Sequence, residues 1–353
     1  MSEQGLYRRI IAGQTGAWSA PVRALLRAGE LIYRTGVEWR NRHYDRRGPR
    51  SVLPVPVISV GNLTVGGTGK TPLVIDLVQR LEQMGFSPAV VSRGYKSPVD
   101  EPNDEERLIR KRCPSVVYAA DADRTRAAEW ACDTQGADVI VLDDAFQHRR
   151  LGRTLDIVLV DATCPFGYNH LLPRGLLREP PSGLARAGLI VLTRCSQVSP
   201  AELDRVEAKI RRLNGGAPLI RCDHRVTGVE RLDGRPADQE LAGKRAILLA
   251  GIARPSAFEA TVSAMGVRVV GHRWWPDHHR YRSRDVDRLM KTARFAPYDI
   301  LITTEKDAVK LADLGTFDHV PLYVVKISID FLQDGSTMIQ HVLDTKLRPN
   351  VAS

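Results

Sequence analysis

Residues 55–71 read VPVISVGNLTVGGTGKT, a β-branched run that leads into a glycine-rich turn and ends in Gly-Lys-Thr. Glycines in such a turn let backbone N–H groups point inward around a polyphosphate. The lysine can reach the β and γ phosphates, and the threonine hydroxyl can hold Mg²⁺. We therefore predict a phosphate-binding loop made of Thr64, Val65, Gly66, Gly67, Thr68, Gly69, Lys70 and Thr71.

The surroundings of the turn favour this interpretation over an ordinary βα turn that contains a lysine. Residues 55–60 form a buried-strand pattern, and apolar residues at helical spacing follow from Leu73 to Met84, before Gly85. The pattern departs from the usual motif at Thr64, which stands where a glycine is expected. We expect Gly66 and Gly67 to supply the permissive backbone conformation instead.

Length and composition limit the class of protein. The chain has 353 residues, 43% of them hydrophobic, which is enough for two domains with real cores. It contains no run of eighteen apolar residues, and its first residues lack the apolar region of a secretory signal. The five cysteines are scattered and form no CxxC pair, so we expect a reducing cytosol and no structural zinc.

The first fifty residues are strongly basic, with ten arginines and four acidic residues. Apolar side chains fall on one helical face after a predicted cap at Ser19: Val22, Leu25, Leu26, Ile32, Tyr33 and Val37. Two interpretations remain open. The helix either lies in the interface of an anionic membrane or docks on the core with a solvated basic face. No nucleic-acid module is recognisable, so we do not expect nucleic acid as a partner.

Beyond this segment, short apolar runs alternate with helical stretches, which predicts a parallel sheet covered on both faces. The predicted fold class is α/β: a P-loop NTPase-like parallel-sheet domain, a second, smaller α/β domain and an amino-terminal amphipathic helix. We expect the basic segment over 1–50, the P-loop domain over 51–220, a linker region over 221–240 and the smaller domain over 241–353. The predicted strands cover 55–60, 89–92, 115–119, 138–142, 157–160, 189–193, 246–249, 267–270, 300–302 and 322–325, and two second-domain helices cover 256–265 and 283–293.

A second element typical of nucleotide sites lies further along the chain. The buried-strand run 136–142 ends in Asp143 and Asp144, as a strand does when it brings carboxylates to Mg²⁺ beside a P-loop. Gln147 and His148 follow at once and are placed to extend the same site.

Three other motifs carry polar groups at predicted strand ends. Arg178 is a candidate for phosphate contact, because arginine is the preferred fork for phosphate oxygens, whereas Arg174 better fits a surface ion pair. In WPDHHRY, adjacent histidines point to different sides, so we favour an acid/base role over a metal site. Thr304 with Asp307 looks like a capped helix start with a stabilising role.

Six blocks together resemble the tetraacyldisaccharide 4'-kinase family: VGNLTVGGTGKTP, VVSRGY, VLDDAFQHRRL, LLPRGLLREP, WPDHHRY and TTEKDAVKL, spanning about residues 54–315. The resemblance implies transfer of the γ-phosphate of ATP, with Mg²⁺, to the 4'-hydroxyl of an acylated disaccharide 1-phosphate lipid. It also implies two α/β lobes with the active site in the cleft, and an amino-terminal helix resting on the cytoplasmic face of the inner membrane. We expect a monomer that is peripheral on that membrane.

The resemblance also implies roles for individual residues. Lys70 and Thr71 bind the β/γ phosphates and Mg²⁺, and Asp143 and Asp144 shape the metal site with Gln147 and His148. Arg124 and Arg178 contact phosphates, and Glu179 supports the site.

The family's general base is an aspartate oriented by the first histidine of an Asp-His-His run, which implies Asp104 and His278 here. The block around the aspartate departs from the family pattern, because Asn103 replaces glycine and Glu106 replaces proline. Asp100 is a competing register. We expect both halves of the protein to contribute to this pair.

Two rival functions remain. One is a membrane-associated P-loop switch ATPase without a sugar acceptor. The other is a phosphohydrolase built around His278 and His279, which would require a bound transition metal.

Overall fold

The computed structural model describes residues 3–94, 102–237, 241–286, 297–314 and 321–348. The strands of this part of the chain are β1 (Val57–Asn62), β2 (Pro88–Ser92), β3 (Val117–Ala120), β4 (Val139–Asp143), β5 (Leu155–Asp161), β6 (Leu189–Thr193), β7 (Leu219–Arg231), β8 (Arg245–Ala250), β9 (Arg268–Trp274), β10 (Ile300–Thr304) and β11 (Leu322–Phe331). Its longer helices are α1 (Glu3–Ile11), α2 (Ala20–Arg47), α3 (Lys70–Gln83), α4 (Asp104–Arg112), α5 (Arg124–Asp133), α6 (Pro200–Leu213), α7 (Pro255–Ala264), α8 (Glu305–Leu311) and α9 (Gly335–Leu347).

The chain divides into two compact units. Unit 1 comprises Met1–Lys96, Cys113–His224 and Ile329–Ser353, and unit 2 comprises Ser97–Arg112 and Arg225–Ser328. The chain therefore leaves unit 1 after β2, forms α4 in unit 2, and returns before β3. Strands β7 and β11 each continue from one unit into the other along the chain.

Unit 1 is built on parallel strands in the order β3-β2-β4-β1-β5-β6-β7. Every residue of β1 is buried, as expected for a central strand covered on both faces. One apolar cluster joins β5 and β6 to α6, and another joins β1, β2 and β4 to α5. The predicted α/β fold class is confirmed, and β1 and α3 flank the glycine-rich turn as the sequence predicted.

Unit 2 contains the parallel strands β10, β8 and β9, with β11 beside β10. Phe258 and Val262 of α7 pack with Leu248 of β8 in one buried cluster. Helix α4 packs against α8, and Arg112 at the end of α4 pairs with Glu305 at the start of α8 at 3.0 Å. The Arg112–Glu305 pair places the last turn of α4 beside the end of β10.

The domain boundaries differ from those predicted. The predicted P-loop domain (51–220) includes α4, which belongs to unit 2, and the predicted second domain (241–353) includes α9, which belongs to unit 1. The predicted linker overlaps β7, which pairs with β6 at Leu219 and Ile190. Gly215 and Gly216 lie in the turn between α6 and this strand. The predicted helix over 283–293 is helical over 283–286, and the remainder lies outside the described residues.

The amino-terminal helices belong to unit 1, and one side of α2 docks on it. The Glu30 carboxylate is buried, with a relative exposure of 1%, and accepts a hydrogen bond from the Leu171 amide at 2.9 Å. Tyr33 and Val37 also turn inward, whereas Leu25 and Ile32 are exposed. The predicted apolar face is thus divided between the core and the surface. Among the described helices, none is long and apolar enough to cross a membrane.

We predict that Glu30→Ala lowers the free energy of unfolding by about 1–3 kcal/mol, because the buried Leu171 amide and His170, 3.0 Å from the carboxylate, lose their acceptor. Glu38→Ala is the control. This change removes the ion pair between Glu38, 35% exposed, and Arg42, 69% exposed. It should lower the free energy of unfolding by about 0.5 kcal/mol or less. Urea denaturation compares the two variants, and equal midpoints would contradict the docking of α2 through Glu30.

Candidate active site

The start of the glycine-rich turn between β1 and α3 is hydrogen-bonded to the segment 176–178. The Val65 amide donates to the Leu176 carbonyl at 2.8 Å, and the Arg178 amide donates to the Leu63 carbonyl at 2.7 Å. Thr64 forms a β-bridge with Leu177, a conformation that needs no glycine. The departure from the usual motif at Thr64 therefore has a structural reason.

Two glycines provide the left-handed backbone of the turn, Gly66 with φ of 116° and Gly69 with φ of 91°. Our expectation for Gly67 was wrong, because its φ is not positive. The Gly67 carbonyl instead accepts a hydrogen bond from Arg194 at 2.9 Å, which fixes the direction of this carbonyl group.

Side chains from the ends of the neighbouring strands support this turn. Arg194 follows β6 and forms a buried ion pair with Asp161 at the end of β5, and the Thr193 hydroxyl donates to the Thr68 carbonyl at 3.2 Å. The imidazole of His224, in β7, lies against Gly69, where an added Cβ would be 2.5 Å from Nε2. Burial and the charge of Arg194 lower the pKa of His224 to about 4, so the ring is neutral at neutral pH.

The turn leaves hydrogen-bond donors available to a ligand. Helix α3 begins at Lys70, and the first N–H groups of any helix have no partner within that helix. The hydroxyl of Thr68 is buried without a hydrogen-bond partner among the described residues. Donors of this kind at a helix N-terminus suit the oxygens of a polyphosphate.

Of the two carboxylates predicted at the end of β4, that of Asp144 contacts this turn. Lys70 Nζ is 3.3 Å from Asp144 Oδ1 and 3.4 Å from Asn62 Oδ1, and Arg178 Nη1 is 2.8 Å from the same Asp144 oxygen. Burial raises the pKa of the Asp144 carboxyl, but Lys70 and Arg178 outweigh this effect and hold it well below its usual range. Asp144 has φ of 48°, a strained value for a residue with a side chain.

These residues fit Mg²⁺ with a nucleotide better than a metal held by protein alone. Among the described residues, no group of three or more His, Cys, Asp and Glu side chains could hold a metal ion. Asp144 offers carboxylate oxygens beside the glycine-rich turn, and Asp143 and Thr71 stay predicted ligands. Mg²⁺ commonly takes one or two carboxylates and completes its shell with water and phosphate oxygens.

Two other predicted residues of unit 1, Arg124 and Gln147, donate hydrogen bonds to backbone carbonyls at the ends of β4 and β1. Buried Arg124 donates to the carbonyl oxygens of Asp143 and Asp144, at 3.3 and 3.0 Å, and so holds the strained turn. Gln147 donates to the Asn62 carbonyl at 2.9 Å and to buried Glu179 at 2.8 Å. Phosphate contact by Arg124 stays a prediction.

Two basic side chains lie near these residues, His148 and Arg174. Burial, with Arg124 and Arg153 nearby, lowers the pKa of His148 to about 4. Arg174, which we expected in a surface ion pair, instead donates to the Ile11 carbonyl at the end of α1, at 2.7 Å. This contact ties α1 to the segment that also carries Arg178.

A second cluster, in unit 2, joins Asp104 and His278. Nδ1 of His278 lies 3.0 and 3.2 Å from the two carboxylate oxygens of Asp104. Asp104 opens α4, and Asn103 caps this helix by accepting from the Glu106 amide at 2.8 Å, which explains an asparagine at that position. Our expectation that both halves contribute to the pair was wrong, because both residues belong to unit 2. The alternative, Asp100, lies outside the described residues.

The loop after β9 holds His278 in an unusual conformation. His278 has φ of 60°, and its amide donates to the Gly251 carbonyl at 3.2 Å. The hydrogen bond with Asp104 raises the pKa of His278 against the opposing effects of burial and Lys306. His279 points elsewhere, 3.3 Å from Asp285 and stacked on Trp275.

Two lysines that were not predicted from the sequence complete this cluster. Lys306 and Lys310 of α8 lie 3.9 and 3.4 Å from Asp104 Oδ2. Burial raises the pKa of Asp104, but His278 and the two lysines outweigh it and hold the carboxyl well below its usual range. The available signal was the spacing of four residues, which places both lysines on one face of the predicted helix.

Asp307 does more than the capping role that we predicted. The cap is confirmed, because the Thr304 side chain accepts from the Asp307 amide. The buried carboxylate also accepts from the Gly251 amide and from the Tyr281 hydroxyl, both at 3.0 Å. Asp307 thus joins α8 to the two loops that position His278.

We predict that Gly69→Ala weakens ATP binding at least tenfold, about 1.4 kcal/mol, because a Cβ would collide with the His224 ring and displace the loop. Gly85→Ala is the matched control. It has the same left-handed strain, with φ of 88°, but nothing within 4 Å of the added Cβ. Calorimetric titration with ATP and Mg²⁺ measures both variants. The combination of Gly69→Ala with His224→Ala should recover part of the loss, and no recovery would contradict the collision.

The family model described as Tetraacyldisaccharide-1-P 4'-kinase matches residues 22–348. A tetraacyldisaccharide 4'-kinase of Syntrophus aciditrophicus is 41% identical over 84% of this chain and 86% of its own. One of Geobacter metallireducens is 38% identical over 95% and 99%, respectively.

A solved structure agrees with this result. The "apo" form of LpxK from Aquifex aeolicus, crystallised in complex with ATP, is 27% identical, with a TM-score of 0.72, over 92% of this chain and 99% of that one. The resemblance inferred from six sequence blocks is confirmed. Since the family model matches far more than half of the sequence, this chain belongs to the tetraacyldisaccharide-1-P 4'-kinase family.

Proposed function

We propose that this protein transfers the γ-phosphate of ATP to the 4'-hydroxyl of tetraacyldisaccharide 1-phosphate, giving lipid IV-A and ADP. The observation that carries the proposal is the Asp104–His278 pair, 3.0 Å apart, in a chain of this family that also has a nucleotide-type phosphate loop. A loop alone fits any P-loop ATPase. A carboxylate held beside a histidine adds the means to take a proton from an alcohol.

Unit 1 would hold the phosphoryl donor. The backbone N–H groups of residues 66–71 and Lys70 bind the β and γ phosphates, and Arg178 neutralises charge that develops on the transferred group. Thr71, Asp143 and Asp144 would hold Mg²⁺, which would neutralise negative charge on the phosphates. Asp144 is already an anion beside two cations, so metal binding there requires no proton loss at neutral pH.

Unit 2 would supply the base. The 4'-oxygen of the acceptor forms a new bond to the γ-phosphorus while the bond from that phosphorus to the β-phosphate oxygen breaks. The hydroxyl proton passes to the Asp104 carboxylate, and ADP leaves. His278 orients the carboxylate through Nδ1, and its positive φ indicates that the loop holds the ring at a cost in backbone strain.

We predict that Asp104→Asn lowers kcat by about a hundredfold to ten-thousandfold while ATP affinity is retained, because only the proton acceptor is removed. Lys70→Met, in unit 1, should instead weaken ATP binding. The measurement is formation of bisphosphorylated lipid from ATP, Mg²⁺ and disaccharide 1-phosphate lipid, with ATP affinity determined separately. A switch ATPase would consume ATP at the same rate without the lipid, and that outcome would reject the kinase.

The membrane is the source of an acylated acceptor, and α2 offers a surface for it. Three exposed apolar residues of α2 recur at seven-residue spacing, which places them on one side of the helix: Leu25 (74%), Ile32 (76%) and Trp39 (72%). Trp18 (62%), one such interval earlier, lies in the turn just before the helix. Exposed arginines elsewhere on the helix, Arg27, Arg34 and Arg42, add positive charge. This pattern suits the interface of an anionic membrane, so we propose a cytoplasmic protein peripheral on the inner membrane.

We predict that Ile32→Glu reduces flotation with anionic liposomes severalfold, because a charge replaces an apolar contact in the membrane interface. Met338→Glu introduces the same charge at an exposed apolar residue of α9 and should leave flotation unchanged. ATP affinity should be the same in both variants. Equal flotation of the two variants would mean that the stripe does not meet the bilayer.

A further inference from the structure

Two lysines of α8 surround the Asp104–His278 pair, and the proposed function does not use them. Lys306 Nζ lies 3.3 Å from Nε2 of His278 and 3.5 Å from both Glu105 and Asp277. Lys310 Nζ lies 3.4 Å from Asp104 Oδ2 and 2.9 Å from Asp307. Both side chains are largely buried, so their ammonium groups are not ordinary surface charges.

We propose that Lys306 and Lys310 are positioning residues for the catalytic base: Lys310 and Lys306 keep the Asp104 carboxylate ionised, and Lys306 also fixes the tautomer of His278. This inference rests on the proposed function, because it takes Asp104 as the base.

Burial of the charged Asp104 carboxylate is costly unless cations or hydrogen-bond donors compensate it. Asp104 lies at the N-terminus of α4, which favours an anion, but α4 also brings Glu105, a second negative charge. Within the described part of the chain, the other charged or titratable groups of the cluster are Asp277, His278 and Tyr281 from the loop after β9, and Lys306, Asp307 and Lys310 from α8.

The balance of these groups depends on the lysines. Asp277, Glu105 and Asp307 are acidic, so without Lys306 and Lys310 the one remaining cation of this set would be a protonated His278. A proton shared with His278 would then be the main means of stabilising Asp104. With the lysines present, the carboxylate is an anion whether His278 is protonated or neutral.

The contact with Lys306 also restricts which nitrogen of the His278 ring carries the proton. An ammonium group can only donate, so a hydrogen bond between Lys306 and neutral His278 requires a lone pair on Nε2. The proton of the neutral ring must then reside on Nδ1, where it donates to Asp104 at 3.0 Å. The opposite tautomer would place a lone pair of Nδ1 against the carboxylate and a proton against the ammonium. Lys306 and Asp104 therefore favour the same tautomer, the one that orients the base.

The test separates charge from hydrogen bonding with full-length variants. Lys310→Met and Lys306→Met remove a charge, whereas Lys306→Gln removes the charge and keeps an N–H donor for Nε2. Lys326→Met is the control, because Lys326 pairs with Glu230 at 3.2 Å in the same unit and has no described contact with Asp104. The pH profile of kcat/KM is measured with ATP, Mg²⁺ and disaccharide 1-phosphate lipid, and ATP affinity is measured separately.

We expect the acidic limb of the profile to move to higher pH by about one unit or more in all three variants at 306 and 310. The direction follows because loss of a cation destabilises the Asp104 anion and raises its pKa. ATP affinity should not change, and Lys326→Met should match the wild type. An acidic limb that stays in place, with or without lower kcat, would overturn the charge role.

¹⁵N NMR of labelled histidine tests the tautomer without relying on catalysis. The neutral His278 ring should be protonated at Nδ1 in the wild type and in Lys306→Gln, and should be a mixture of tautomers in Lys306→Met. An unchanged tautomer in Lys306→Met would overturn the orienting role. The tautomer could change as expected while Asp104→Asn still transfers phosphate at the wild-type rate. In that case Asp104 is not the base, and the two lysines have no role in catalysis.

Discussion

The first N–H groups of α3 have no partners within their helix, and the loop before them must curl so that these donors converge on one ligand. This requirement accounts for much of unit 1. Two glycines supply the left-handed turns, and the segment around Leu176 holds the start of the loop. Arg194 and His224 support it from the ends of β6 and from β7. A loop fixed in this way does not have to be ordered by the nucleotide, so less binding free energy is lost on association.

Both units use the same electrostatic device for different chemistry. In unit 1, Lys70 and Arg178 keep Asp144 ionised, and in unit 2, Lys310 with His278 and Lys306 keeps Asp104 ionised. Burial alone would favour the neutral acid in both places. An ionised carboxylate serves as a metal ligand in the proposed donor site and as a proton acceptor in the proposed base. Each is therefore ready at neutral pH without a preceding proton transfer.

Local patterns predicted much of this structure. The phosphate loop, its flanking strand and helix, the Asp143–Asp144 pair and the cap at Thr304 were predictable because each is encoded within a few neighbouring residues. The association of Asp104 with His278, 174 positions apart, came from family resemblance rather than from any local pattern.

What the sequence did not reveal depends on distant contacts. Strand β7 was not predicted for two reasons. Its second half, RVTGVER, has few apolar residues at alternating positions, and two glycines stand shortly before the strand begins. The assignment of α4 to unit 2 depends on its packing against α8, about two hundred residues away in the chain. Lys306 and Lys310 were overlooked because lysines on a short helix usually face water, and only the fold places Asp104 beside them.

The most direct test of the account is to follow the γ-phosphate itself in a single turnover. Full-length protein is mixed with γ-labelled ATP, Mg²⁺ and tetraacyldisaccharide 1-phosphate, and the labelled products are identified by mass spectrometry and ³¹P NMR. The account predicts that the label resides on the 4'-oxygen of the disaccharide, next to an unchanged 1-phosphate. Label recovered as inorganic phosphate, at a rate that does not depend on the lipid, would contradict it.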